Sequence, residues 1–449
     1  MRIQYTRKEL IDLYKTETGQ TNYLQLLNAE DGFIKNCALI KKDLGEPAIP
    51  YVTTLHYEYL SGNKLTHGYC SGKGLTREDA ERSAVGEAVE RYCACSYSIE
   101  ELIYASFENL KEDALDPRQL VLYSPEQYEK IPWRPLREDT ILGWVKAYSF
   151  VQDKSLLVPA MAVFLDYQLQ NEDEYFVERL STGLAAGPGL LRAIVSAALE
   201  VIERDAFMIS WYNKLHCSRI DTRTIPNPEI LGMIDHYEQT GNEIYLLRLN
   251  TDAPCHVFMA IAKQVSGELP FISVGLGADF SSTIAANKAL LELAQVRASS
   301  NNYYKHSVTL NRINQLIANP QLVDTINDHR LLYAAPGHEA AFEFLFNSAL
   351  IPFEWDSAER NPRQQFEESI GYLKEIGSDL IYYNLSLPET ENSGYYSCRV
   401  ILPGFQPIHF GYHNLRLAGK RMFELPVKLG FRNKASTPTE LNSYAHPLA

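Results

Sequence analysis

One short pattern occurs twice in this chain, and it limits what the chain can fold into. Ser83-Ala84-Val85-Gly86-Glu87-Ala88-Val89-Glu90-Arg91 reads S-x-x-x-E-x-x-E-R, and Ser196-Ala197-Ala198-Leu199-Glu200-Val201-Ile202-Glu203-Arg204 repeats it. A looser third copy is Lys288-Ala289-Leu290-Leu291-Glu292-Leu293-Ala294-Gln295-Val296-Arg297. Positions three and four apart share one face of a helix, so each of the first two copies sets a hydroxyl, two carboxylates and an arginine along one stripe. A single copy is the solvated face of a surface helix, with an i,i+4 ion pair from Glu87 to Arg91. Recurrence points to two facing helices with four carboxylates around one cavity, or to an inter-helix salt-bridge network. Crowded carboxylates repel one another unless cations sit among them, and hard cations such as Mg²⁺ take oxygen ligands. The pattern therefore predicts a metal–nucleotide site built on helices.

The rest of the chain supplies strands and loops for those helices. Residues 51–60 are rich in β-branched and aromatic side chains and predict a strand. Cys70 to Leu75 predicts a glycine-flanked loop, and Thr76 with Asp79 resembles a capping box that starts a helix over about 76–96. Ser181 to Gly189 predicts a small-residue loop, with Pro188 suited to the first turn of a helix that ends near Tyr212. Further strands are predicted over 158–165, 244–249, 256–262, 271–276 and 399–404. Ser281 or Ser282 caps a third helix, about 283–300. Backbone N–H groups of the glycine-bearing loops could meet phosphate. Three strand–loop–helix units give an α/β (α+β) protein with internal pseudo-repetition. Residues 1–50 form a lead-in, and 51–449 form one domain with a C-terminal tail over 431–449.

Composition removes several function classes. The 449 residues carry 42 Lys and Arg against 56 Asp and Glu, a net charge of −14. That balance argues against a broad nucleic-acid surface or an anionic-membrane surface. No apolar run is long enough to span a membrane, and the N-terminus lacks the apolar core of a signal peptide, so a cytoplasmic location is expected. Seven cysteines, odd in number and scattered, read as free thiols. There is no G-x-x-x-x-G-K-S/T phosphate loop, no H-E-x-x-H and no paired C-x-x-C. Lys73, between two glycines, is either a phosphate or peptide contact or an ordinary loop lysine. Arg297 is either a γ-phosphate ligand or the solvated end of a helix.

At these segments the sequence resembles the YcaO family, through S-G-K-G-L-T-R-E-D-A-E-R-S-A-V-G-E-A-V-E-R-Y (71–92), S-T-G-L-A-A-G-P-G-L-L-R-A-I-V-S-A-A-L-E-V-I-E-R-D-A-F (181–207) and G-L-G-A-D-F-S-S-T-I-A-A-N-K-A-L-L-E-L-A-Q-V-R (275–297). The resemblance implies an ATP-binding fold without a Walker loop. It implies that Glu87, Glu90, Glu200 and Glu203 hold Mg²⁺, and that Lys73, Ser83, Arg91, Ser196, Arg204, Gln295 and Arg297 line ATP. Many relatives carry an asparagine that contacts ATP where this chain has Pro188; Thr182 or local backbone would substitute. The segments around 399–432 look like those of stand-alone cyclodehydratases. Such enzymes phosphorylate a backbone amide oxygen so that Cys, Ser or Thr cyclises to a thiazoline or oxazoline in a ribosomally made peptide. Azoline-forming members often end in a P-x-P-x-P tail that reaches the active site. Here the end is Ala445-His446-Pro447-Leu448-Ala449, which makes His446 and Ala449 the catalytic tail candidates, or leaves His446 a terminal histidine without a role. The partners implied are a precursor peptide and a separate leader-binding E1-like or RRE protein, and a homodimer is compatible. Thioamide or amidine formation, and a non-catalytic nucleotide-binding accessory subunit, are the other readings.

Overall fold

The computed structural model describes residues 2–448 except 18, 28–31, 44, 62–63, 301–302, 354 and 357–359. Along the chain run strands β1 (Ile34–Leu39), β2 (Tyr51–Ser61), β3 (Lys64–Gly74), β4 (Ile103–Ser106), β5 (Ile141–Ser149), β6 (Lys154–Pro159) and β7 (Leu184–Gly187). Then come β8 (Ser218–Ile220), β9 (Asn242–Arg248), β10 (His256–Gln264), β11 (Ile272–Asp279), β12 (Leu350–Ile351), β13 (Ile381–Asn384) and β14 (Tyr396–Ile401). They form three sheets, ordered β1-β2-β3, β4-β5-β13-β14-β7 with β6 beside β5, and β11-β10-β9-β8-β12. The three signature helices are Arg77–Cys95, Leu190–Asn213 and Ser282–Ser300, each following the last strand of its own unit: β3, β7 and β11.

Packing between units is cyclic. The first signature helix lies on β3 and also meets β7; the second lies on β7 and meets β11; the third lies on β11 and meets β3. Each helix thus bridges its own strand and the strand of the next unit, which brings three charged stripes toward one centre. The helix-forming pattern explains why: Ala80, Ala84, Val85, Ala88 and Val89 are buried under the first helix, and Ala285, Ala286, Ala289, Leu290 and Leu293 under the third. These small apolar residues at helical spacing give narrow faces that sit close to a sheet.

The glycines make that closeness specific. Residues 70–74, expected as a loop, are instead the end of β3. A Cβ built on Gly72 would lie 2.1 Å from the Ala80 carbonyl oxygen and 2.2 Å from the Ala84 nitrogen. On β11, a Cβ at Gly275 would lie 2.3 Å from the Leu293 nitrogen, and one at Gly277 2.3 Å from the Ala285 oxygen. Glycine here is a close-packing device between strand and helix rather than a phosphate cradle. The expected strand over 158–165 is shorter than predicted: β6 ends at Pro159, and Ala160–Val163 turn as a short helix. Pro188 lies outside the second helix, which begins at Leu190 after Gly189 at φ +131°. The Leu190 amide donates to Glu17 Oε1 at 2.9 Å, so a carboxylate from the lead-in caps that helix where its dipole favours an anion.

The lead-in and the tail are both built into the domain. β1 pairs antiparallel with β2. The first helix, Arg7–Thr16, is capped by Thr6 and packs on the second signature helix. At the other end Ala445, His446 and Leu448 are buried, while Ala449 lies outside the described residues. Among the described residues no helix is long and apolar enough to cross a membrane. All seven cysteines are free.

Replacing Gly72 with alanine should destabilise the protein by about 2 kcal/mol or more, because the atoms in the way are backbone and cannot rotate aside. Gly232, within the helix Pro228–Gln239, has nothing within 4 Å of its built Cβ. Gly232→Ala should therefore stabilise by about 0.5–1 kcal/mol through helix propensity. Urea unfolding of the two variants checks this; a Gly72→Ala variant as stable as the parent would contradict close packing at Gly72.

Candidate nucleotide and metal site

The same bond recurs in all three units. The amide of Ser71 donates to Glu87 Oε2 at 3.2 Å across 16 residues. The amide of Gly183 donates to Glu200 Oε2 at 2.9 Å across 17. The amide of Leu276 donates to Glu292 Oε1 at 3.4 Å across 16. A carboxylate that accepts a backbone N–H loses rotamer freedom and has one of its oxygens aimed. Glu292 is thus the third unit's equivalent of Glu87 and Glu200. It was legible, since it occupies the first glutamate position of the looser third copy.

The first two stripes share a cleft of about 520 Å³, lined by Ser83, Glu87, Glu90 and Arg91 on one helix and Ser196 and Glu200 on the other, with Leu184 to Pro188 between. Arg91 pairs with Glu90 at 3.1 Å and Glu87 at 3.6 Å. Arg204 pairs with Glu200 and Glu203, each at 3.7 Å. Burial pushes the Glu90 carboxyl up to about 7, against the pull of Arg91 and with the help of Glu200 and Glu87. Burial likewise raises Glu203 to about 7; Arg204 opposes this, while Glu292 and Glu200 add to it. Glu203 faces the third unit rather than lining the cleft, so the carboxylates form a chain from Glu87 to Glu292 instead of one ring.

The third helix closes that chain. Lys73 Nζ bonds Glu292 Oε2 at 3.0 Å. Burial raises the Glu292 carboxyl, but Lys73 and then Arg204 outweigh it, so the net shift is downward. Gln295 donates through Nε2 to Ser71 Oγ at 2.7 Å, which ties the third helix to the strand that holds Glu87. Arg297 sits farther back: it is buried, pairs with Glu46 at 3.1 Å and lies over the Tyr237 ring. Thr182 lines a separate cavity of about 100 Å³ with Glu178, Arg399 and Arg416. Its carbonyl accepts from Arg399 Nη1 at 2.7 Å. Arg399, absent from the sequence reading, is lowered to about 10 by burial, with Glu200 and Glu90 opposing.

His446 lies in a cluster with His329 and His409. Its Nε2 donates to the His409 carbonyl at 2.7 Å, and His329 Nδ1 donates to the His446 carbonyl at 2.7 Å. Since carbonyls only accept, the tautomers are fixed, and Nδ1 of His446 is left with a lone pair and no hydrogen-bond partner. Burial, then His329 and His409, and also Arg204, hold His446 neutral far below the ordinary imidazole range. The tail is therefore within the electrostatic reach of the site's second arginine.

A magnesium nucleotide fits this donor set. Buried carboxyls such as Glu90 and Glu203, raised for want of enough positive charge, are matched by cations. The buried Nη1 of Arg91 makes no hydrogen bond despite its ion pair, which leaves a donor for an anion.

A family model described as YcaO cyclodehydratase, ATP- and Mg²⁺-binding, matches residues 71–406. An uncharacterized protein of Methanothermobacter thermautotrophicus (strain Delta H) is 27% identical over 337 residues, 75% of this chain and 81% of the relative. Among solved structures, a heterocyclase in complex with substrate and cofactor superposes with a TM-score of 0.79 at 20% identity, over 96% of this chain and 58% of that one. This chain thus spans little more than half the length of that heterocyclase. The YcaO protein of Methanopyrus kandleri, bound with AMPPCP and Mg²⁺, superposes with a TM-score of 0.60 at 19% identity, over 83% and 86% of the two chains. At these identities the structural likeness speaks for the fold.

The raised carboxyls have a measurable consequence. Folded protein binds protons at Glu90 and Glu203 up to about pH 7, whereas the ordinary carboxyl value is 4.5. Metal-free stability from these groups is therefore full below 4.5, falls as pH rises to about 7 and is level above. In EDTA, Glu90→Gln should exceed the parent in stability at pH 8 by about 1–3 kcal/mol, with the gap closing by pH 5. Urea titration at both values checks this; a gap that ignores pH would contradict it.

Proposed function

The chain belongs to the YcaO family, which binds ATP and Mg²⁺, and from that premise we propose that it is a cyclodehydratase that spends ATP to close azoline rings in a ribosomally made peptide. The observation that carries this reading is the chain of carboxylates interleaved with arginines on facing helices that line one cleft.

Each residue then has a task. Glu87, Glu90, Glu200 and Glu203 would hold Mg²⁺, with the Ser71 and Gly183 amides fixing the rotamers of Glu87 and Glu200. Bound Mg²⁺ would screen the phosphate charges and polarise the γ-phosphoryl group. Arg91 and Arg204 supply positive charge preset by their ion pairs, so little reorganisation is needed as charge moves during transfer. Ser83 and Ser196 offer hydroxyls on the same stripes, and Lys73 and Gln295 hold the third helix against the strand beneath Glu87. Arg297 acts through Glu46 and the packing of that helix, and Thr182 through Arg399.

The substrate brings the nucleophile. A Cys, Ser or Thr side chain bonds to the preceding carbonyl carbon and loses its proton. The carbonyl oxygen, now carrying the displaced electron pair, takes the γ-phosphoryl group and ADP departs. The former amide nitrogen gives up its proton, its electron pair forms C=N, and phosphate leaves. The net change is loss of one water from the peptide. His446, with its unshared Nδ1 pair, and Ala449 at the tail end are proposed to serve the proton transfers. A cytoplasmic location agrees with the seven free thiols. We assign leader-peptide capture to a separate E1-like or RRE partner protein.

Two measurements test this. Calorimetry with Mg-ATP should show binding that weakens at least about tenfold in Glu87→Gln and in Glu200→Gln; unchanged affinity in both would remove the metal assignment. Mixing the protein with partner, candidate peptide and ATP should give a mass loss of one water per ring. A gain from sulfur exchange would select thioamide formation instead, and nucleotide binding without any product would select the accessory-subunit reading.

A further inference from the structure

The outer face of the first sheet carries a group that the nucleotide site does not use. β2 and β3 pair so that Glu58 stands opposite His67 and His56 opposite Tyr69. Odd-numbered residues of β2, such as Thr53 and Leu55, face the first signature helix, so His56, Glu58 and His67 share the opposite face. Nε2 of His56 lies 3.1 Å from Nδ1 of His67. Oε1 of Glu58 lies 3.5 Å from that same Nδ1. One ligand atom from each of the three falls within 4.8 Å of the others.

These separations have the size of a coordination edge. Two ligands at ordinary zinc distances and a tetrahedral angle stand about 3.3 Å apart. We propose that His56, Glu58 and His67 bind one Zn²⁺ through Nε2, Oε1 and Nδ1, with the fourth position open to water. Two imidazoles with one carboxylate suit a borderline cation over Mg²⁺, which prefers all-oxygen sites. The surroundings orient the ligands. Lys35 Nζ, on the neighbouring strand β1, sits 3.6 Å from Glu58 Oε2 and leaves Oε1 toward His67. The Tyr69 ring stacks on His56 at 5.0 Å and 20°, which fixes the imidazole plane. Without metal, the two rings share one N–H···N hydrogen bond. Metal binding moves that proton to the outer nitrogen of the donor ring, so no net proton is lost from the histidines. The consequence is a staple across the hairpin whose strand β3 leads, at Ser71, to the amide that holds Glu87.

The test uses the full chain in excess Mg²⁺, with Zn²⁺ as the probe and a chromogenic chelator as competitor. One equivalent of Zn²⁺ should bind to the parent, and His56→Ala and His67→Ala should each weaken it at least about tenfold. Zn²⁺ should raise the melting temperature of the parent but not of the two variants, whose metal-free melting should match the parent's. Co²⁺ should give ligand-field bands without thiolate charge transfer. A thiolate band, binding that survives both histidine changes, binding lost in Glu87→Gln alone, or no binding would each overturn the proposal.

Discussion

Three backbone amides, two on the last strands of the first and third units and one in the turn just before β7, hold one carboxylate on each of three helices. This bond is where fold and chemistry meet. It requires that strand and helix lie close enough for an amide to reach a glutamate near the middle of the next helix. The glycines at 72, 74, 275 and 277 provide that approach in the first and third units, where any Cβ would collide with helix backbone. Rotamer, register and charge are thus fixed together. A shift of one residue between β3 and its helix would move Gly72 from under Ala80 and take Glu87 away from Ser71 at once.

The helices and their charged stripes were legible because helical periodicity is a local property. Caps were legible for the same reason: Thr76 accepts from the Asp79 amide as its spacing suggests. What was not legible is what approaches a residue from elsewhere in the chain. Gly72 and Gly74 announce that a side chain is intolerable, but sequence does not say whether phosphate or a helix is the reason. The pairs Lys73–Glu292 and Arg297–Glu46 span 219 and 251 residues, and no window contains both partners. The central strand β13 was missed for another reason. Ile381, Tyr382, Tyr383 and Asn384 are all buried, so the run shows no alternation by which to recognise a strand.

The centre of the protein is arranged against its own stability. Glu90 and Glu203 are desolvated beside other carboxylates, and arginines offset only part of the repulsion. Such frustration is characteristic of sites prepared for a charged ligand, because relief on binding contributes to affinity. Nearby, the histidine cluster solves the opposite problem. His329, His409 and His446 stay neutral, and their hydrogen bonds join the tail to the body: His329 reaches the His446 carbonyl, and Tyr333 reaches that of Ala445 at 2.5 Å.

The buried pair of Glu46 and Arg297 carries a lesson about boundaries. The segment shared with the family begins at residue 71 and stops at 406. A fragment cut to those limits would lose β1, β2, the Glu17 cap and the whole tail, and would leave the Arg297 guanidinium without the Glu46 carboxylate that pairs with it. Leaving one member of a buried pair behind costs about 3–5 kcal/mol, comparable to the entire margin by which many domains stay folded. The stretch that ancestry preserves is therefore shorter than the stretch that can stand by itself, and anyone drawing borders for a minimal version should follow the ion pair rather than the alignment.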